Sequence, residues 1–304
     1  MALRRAHLLD TARLWTIPNL KHFQETRQTT VWLLAPLIGL ATGIAAILFR
    51  LAIGLFQWPW LQTMSEHVAA AARNQPWWVV MLAPAVGGLF VGLLLRYALT
   101  AKRTVAVPDV MEARVNGGRG LHLGQGLISA LTSALSLGCG GSAGREGPIV
   151  HLGASIAVAL SENLNLPNAA RRTLLASGAA GAVAASFNAP IAGVLFAQEV
   201  ILGHFSIRTF VPLVLSSVVA TIVSQAWFGD VAAFVVPSYA IVSYLEVPAF
   251  VLLGIVAAAV AVVFQLMILS TDWAARNVKI PLVMRPAIGA LNEAATAPAA
   301  PEAS

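Results

Sequence analysis

The chain has 304 residues, of which 58% are hydrophobic and 11% charged, and its mean hydropathy is +0.77. That leaves too little polar surface to cover a soluble globule of this size, so the chain reads as an all-α polytopic membrane protein. Its formal net charge of +6 does not point to nucleic acid, because the basic residues lie in the N-terminal segment and short loops and not on a basic, aromatic-studded face. The single cysteine, Cys139, cannot form an internal disulfide, and no Cys/His cluster calls for a metal or another cofactor.

The N-terminal segment, residues 1–28, carries Arg4, Arg5, Arg13, Lys21 and Arg27. Within it, residues 11–21 suit either a short interfacial helix, interrupted by Pro18, or an unstructured tail. It does not read as a signal peptide, because the first apolar run starts late, is too long and continues as a span. Runs long enough to cross a bilayer are 29–60, 76–99 and 248–271. Trp58, Trp60, Trp77 and Trp78 flank the loop between the first two and read as an aromatic belt. That loop holds only Arg73, whereas the next holds Lys102, Arg103, Arg114 and Arg119, so the charge bias predicts a cytoplasmic N-terminus.

From residue 121 to residue 228 the pattern changes. Apolar pieces at 121–137, 148–160, 169–186, 190–202 and 209–227 are broken by Gly, Pro and Asn, and several are too short to cross unaided. Interrupted helices whose ends meet near the midplane are how ion transporters present backbone charge to a substrate, since irregular backbone is tolerated there only where it lines a cavity. At the first break stands GGSAGREGPIV, residues 140–150. A charge at membrane depth costs roughly 2.5 to 3.5 kcal/mol, so Glu146 beside Arg145 is a functional-site candidate. Gly141, Gly144 and Gly147 let the backbone turn tightly and approach a ligand, and Pro148 suits the first turn of the helix that follows. The exposed amides of that turn would form an anion site, able to hold either a carboxylate or a halide. A tethered carboxylate is then a competitive gate, and protonation releases it. The alternative, a permanent Arg145–Glu146 ion pair, leaves the glycines unexplained, and adjacent residues point differently on a helix.

GSAGREGP followed by IVHLGASIA, then ASFNAPIAGVLFAQEV, with VPDVMEA upstream, resembles the chloride channel and chloride/proton antiporter (CLC) family over about residues 29–271. The resemblance implies a CLC-like first repeat of short, broken, tilted helices meeting near the midplane, and a homodimer whose interface uses residues 190–202 and 209–227. It also implies that Glu146 occupies an anion site at a helix N-terminus, swings away to admit chloride, and carries protons in antiporter members. Gly144, Arg145 and Gly147 would complete that site. The family's first anion motif, usually GSGIP, aligns with TVAVP at residues 104–108. Val105 thus stands where a serine hydroxyl would bond the central anion, and both motif glycines have become Thr104 and Ala106. In LFAQEV, the acid that relays protons in antiporters falls at Val200, which resembles the channel branch. Glu199 remains as a candidate relay, or else as a structural carboxylate bonded to neighbouring backbone or to Arg208.

After Arg276, KIPLVMRPAIGAL begins like the family's next helix and gives way to NEAATAPAAPEAS, which reads as a disordered Ala/Pro tail. The expected organisation is an N-terminal segment (1–28), a CLC-like transmembrane domain (29–276), and a truncated helix start with the tail (277–304). The second inverted repeat would be missing, as from a frameshifted or truncated gene. The expected function is channel-like transport of chloride or a similar small anion, of the voltage-gated type, in a bacterial-type inner or plasma membrane. A second copy, or a complementary half-chain, is the expected partner. Chloride/proton antiport and a non-conducting half are the alternatives. Remoter is a serine hydrolase: GGSAG fits a GxSxG elbow around Ser142, with His151 or His204 as base and Glu199 as orienting acid. An elbow needs a strand before the serine, and residues 127–137 read as helix. His151 otherwise packs or hydrogen-bonds within its helix, and Arg171 with Arg172 caps an interfacial loop.

Overall fold

The computed structural model describes residues 27–64, 68–230, 244, 246–277 and 280–296. Every regular element among them is helical: α1 (Gln28–Leu61), α2 (Val68–Arg73), α3 (Trp77–Tyr97), α4 (Val107–Val115), α5 (Leu123–Gly138), α6 (Glu146–Asn163), α7 (Asn168–Phe187), α8 (Pro190–Phe196) running into a π-helical turn (Ala197–Leu202), α9 (Ile207–Phe228), α10 (Glu246–Asn277) and α11 (Arg285–Thr296). Helices α1, α3, α9 and α10 are long and apolar enough to cross a membrane. The 34 residues of α1 extend about 51 Å, well beyond a hydrocarbon core of about 30 Å, so this helix tilts or projects.

Small residues set the packing. Helix α7 is buried along its Ala/Gly-rich stretch and lies against α1, α6, α8 and α9. It crosses α6 where Gly178 meets Gly153 backbone to backbone, so closely that a Cβ on either would strike the other's carbonyl oxygen. Gly39 and Gly43 of α1, one turn apart, give α9 the same access at Ser216 and Ala220. Between α9 and α7, Ser216 Oγ donates to the Ser177 carbonyl (2.7 Å) and Ser224 Oγ to that of Ala185 (2.9 Å). These bonds satisfy hydroxyls that would otherwise be stranded in an apolar interior. Helix α10 is exposed at every residue from Val247 to Ala275, apolar around its whole circumference as in a lone membrane span.

The spans read from apolar runs appear to within about a turn of helix, except that α10 continues to Asn277. Two short helices, α2 and α4, occupy stretches that the hydropathy pattern leaves as loops. The C-terminal reading is corrected as well. Helix α11 continues through Thr296, five residues into the segment expected to be disordered. Glu293, Ala294 and Ala295 are good helix formers, and the next proline comes only at Pro298. Helix α11 and the turn before it dock on α3, with Ala287 of the helix against Gly88 and Val283 of the turn against Gly92. The expected interfacial helix at 11–21 and the tail from 297 onward lie outside the described residues.

Candidate functional site

Helix α5 ends in a tight turn. The Gly141 amide donates to the Ser136 carbonyl (2.9 Å), and Gly140 takes φ +96°, a conformation that favours glycine. The chain then runs through Ser142 and Ala143 to Arg145, whose φ of −83° and ψ of −12° already suit a helix, and α6 begins at Glu146. Its first-turn amides have no acceptor within the helix. Pro148 costs nothing there, because its missing N–H would have been one of the unpaired ones.

The Glu146 side chain folds back over this helix start. A Cβ placed on Gly144 would lie only 2.5 Å from Glu146 Oε2, so the carboxylate fills the space that a side chain at 144 would need. Among the described residues Glu146 makes no side-chain hydrogen bond and no ion pair, with Arg145 or any other cation. It faces a cavity of about 550 Å³ lined by Arg50 and Gln57 of α1, by Gly144 and Arg145, and by Phe228 of α9. The Arg50 guanidinium carbon sits 4.1 Å from the centre of the Phe228 ring, in cation–π range. Among the described lining residues two arginines outnumber one carboxylate, a formal charge of +1 with Glu146 ionised. The cavity therefore favours an anion.

A second helix start abuts the first. A Cβ on Gly147 would lie 3.2 Å from that of Ala106, the residue preceding α4. Here, however, the amides are already engaged. Val105 N–H donates to Ser129 Oγ (2.9 Å) and Ala106 N–H to Asp109 Oδ2 (2.8 Å), while Asp109 is held by Arg103 at 2.5 and 3.0 Å. Val105 does not line the cavity at Glu146.

The other sequence candidates fall elsewhere. Glu199 is exposed on the π-helical turn and bonds neither to backbone nor to Arg208 among the described residues, so a structural carboxylate is not what the fold displays. Val200 is half-buried beside it. The turn is tied down through the Leu202 carbonyl, which accepts from Arg114 Nη1 and from His204 Nδ1 (3.0 Å). His151 is buried with Nδ1 3.3 Å from Ser155 Oγ on the same helix. Arg171 Nε and Arg172 Nη2 donate to the Leu166 and Val115 carbonyls (3.0 and 2.8 Å). Ser142 follows a helix, not a strand, which removes the elbow geometry. Sequence reasoning missed Arg50, Ser129 and Asp109. A lone arginine inside the apolar run 29–60 and an aspartate three residues after Ala106 were the available signals.

An unpaired carboxylate at a helix start, above a cationic cavity and beside a second helix start, can be compared with known proteins. The sequence signature described as "Voltage gated chloride channel" matches residues 87–303. The chain belongs to the voltage-gated chloride channel (CLC) family. It is 35% identical over 262 residues to the putative chloride channel protein ClcB-like of Ralstonia nicotianae, covering 85% of this chain and 61% of that protein. With the voltage-gated ClC-type chloride channel ClcB of Escherichia coli it shares 35% identity over 195 residues, 64% of this chain and 46% of the relative. With chloride channel protein CLC-f of Arabidopsis thaliana it shares 31% over 275 residues, 85% and 34%. The chain thus spans at most about three fifths of the length of these relatives. Among solved structures, a slow cyanobacterial Cl⁻/H⁺ antiporter superposes with a TM-score of 0.72 at 23% identity, over 87% of this chain and 63% of that one. A CLC-type fluoride/proton antiporter gives 0.70 at 24%, over 88% and 64%. The fold is the all-helical CLC fold, over part of its length.

Proposed function

We propose that this chain moves chloride or a similar small anion across a membrane through a pathway gated by Glu146, and that it carries out no enzymatic step and needs no cofactor. One observation carries the reading: among the described residues the Glu146 carboxylate lies unpaired over the start of its own helix, in a cavity whose other described charges are Arg50 and Arg145. A helix N-terminus offers about half a positive elementary charge, for which a halide and the carboxylate compete. Gly144, Arg145 and Gly147 frame that place, and Val105 marks a second, weaker one at α4. Transport is channel-like, because Val200 supplies no proton-accepting group and coupling would fall to the exposed Glu199 alone.

The charge bias of the loops supports a cytoplasmic N-terminus in an inner or plasma membrane. Ile191, Leu195, Ile207 and Phe210, all exposed on α8 and α9, support a homodimer through those helices. The decisive experiment is chloride efflux from liposomes. Glu146→Gln, which mimics the protonated gate, is expected to raise flux or flatten its pH dependence. Glu146→Gln flux equal to that of the unmodified chain at every pH from roughly 4 to 8 overturns the assignment.

A further inference from the structure

Behind the loop that leads to Glu146 lies a second cavity, of about 190 Å³, walled by Trp60, Val79, Val80, Pro84, Leu137 and Cys139 among others. None of its described lining residues is charged, in contrast to the gate cavity with its two arginines and one glutamate. Gln57 and Ser142, polar side chains at its edge, have partners of their own. Water entering this space would find few partners. An enclosed apolar cavity of about 150 Å³ stays dry and accepts benzene; this one is of comparable volume and is partly open to its surroundings.

We propose that this cavity binds a small uncharged apolar molecule of about six to eight carbon atoms, a size set by its volume. Gly138, Cys139, Gly140 and Ser142 form one wall, and Gln57, Val68 and Leu137 border both this cavity and that of Glu146. An occupant presses on the segment that continues into Gly144 and Glu146, and so restrains the movement of the carboxylate. This effect on transport rests on the function proposed above; the existence of the site does not.

Cys139 reports on occupancy. It is the single cysteine, is 5% exposed, packs against Gly87 of α3 and lines the cavity, so an occupant of the cavity shields its sulfur from a thiol reagent. N-ethylmaleimide adds its double bond across the S–H, forming a thioether with the proton delivered to the neighbouring carbon, and intact mass counts the product. With the full chain in liposomes, cyclohexanol at ten times its half-protecting concentration is expected to slow labelling about tenfold. Val79→Phe fills the cavity and should slow labelling by itself and abolish the response to cyclohexanol, with Val80→Phe as the second filling variant. Cyclohexanol should also lower chloride efflux in the unmodified chain and not in the filled variants. Labelling that ignores cyclohexanol, or protection that persists in both filled variants, overturns the site. Protected labelling alongside an inert Glu146→Gln keeps the site and overturns the gate; responsive flux with unprotected labelling does the reverse.

Discussion

Gly144→Ala tests the gate without touching its chemistry. The backbone at Gly144 lies outside the left-handed region, so alanine adds a methyl group with no conformational strain. That methyl would lie 2.5 Å from Glu146 Oε2 and 3.7 Å from its Cδ. Ordinary carbon–oxygen contact begins at about 3.3 Å, so the flexible carboxylate has to retreat by about 1 Å from the start of α6. A carboxylate at a helix N-terminus is stabilised by about 0.3 to 1 kcal/mol, and by about 2 in a partly buried site. Losing most of that favours the displaced gate by between about two- and thirtyfold. Chloride efflux from liposomes should rise by a factor in that range. The double variant Gly144→Ala/Glu146→Gln should match Glu146→Gln alone, because the methyl acts only through the carboxylate. Unchanged flux in Gly144→Ala, or effects that simply add in the double variant, would refute the reasoning.

Val105→Ser restores a hydroxyl donor, and a neutral hydrogen bond worth about 0.5 to 1.5 kcal/mol predicts several-fold tighter halide binding by calorimetry; equal or weaker binding removes Val105 from the site. Asp109→Ala strips the acceptor from the Ala106 amide and is expected to cost about 1 kcal/mol, seen as a lower midpoint in thermal unfolding, with little more from the pair to Arg103, which is 60% exposed. An unshifted midpoint would show that the α4 cap is dispensable. The purified chain should self-associate or pair with a complementary half, because Glu146, unpaired among the described residues, is only partly buried and a polar group left facing hydrocarbon is costly. A stable detergent-solubilised monomer with robust, Glu146-dependent flux would contradict that expectation.

The long spans were legible because hydropathy alone fixes them: α1, α3, α9 and α10 are continuous apolar runs, and the interrupted α5 to α9 region announces itself by Gly, Pro and Asn. Glu146 stood out as a candidate for the same reason, as a charge where charge is costly, and the fold places it at the helix start expected of it. Helix α4 was not, since its nine residues VPDVMEARV mix charged and apolar side chains without a run or a clear period. Helix α11 was obscured by composition: an alanine-rich end looks like a tail until α3 offers Gly88 and Gly92 as a surface to dock on. The two partners of the α4 amides divide on the same principle. Asp109 is local and carries a capping pattern, whereas Ser129 acts across 24 residues and only the fold brings it near.

The contrast between the two helix starts also explains how the departures at residues 104–106 fit together. At α4 the amides of Val105 and Ala106 are taken by Ser129 and Asp109, acceptors that belong to the chain itself. An anion arriving there would have to displace an internal hydrogen bond before making one of its own, and no hydroxyl at 105 offers compensation. At α6 no side chain among the described residues caps the first turn, and Glu146, tethered but unbonded, is the one carboxylate poised over it. On the proposed reading, anion affinity is therefore concentrated where the gate sits, so that occupancy and gating compete for the same amides. Loss of the hydroxyl at 105 and self-capping of α4 then act in one direction: both weaken anion binding at the α4 start and leave the exchange between Glu146 and the anion to set the rate.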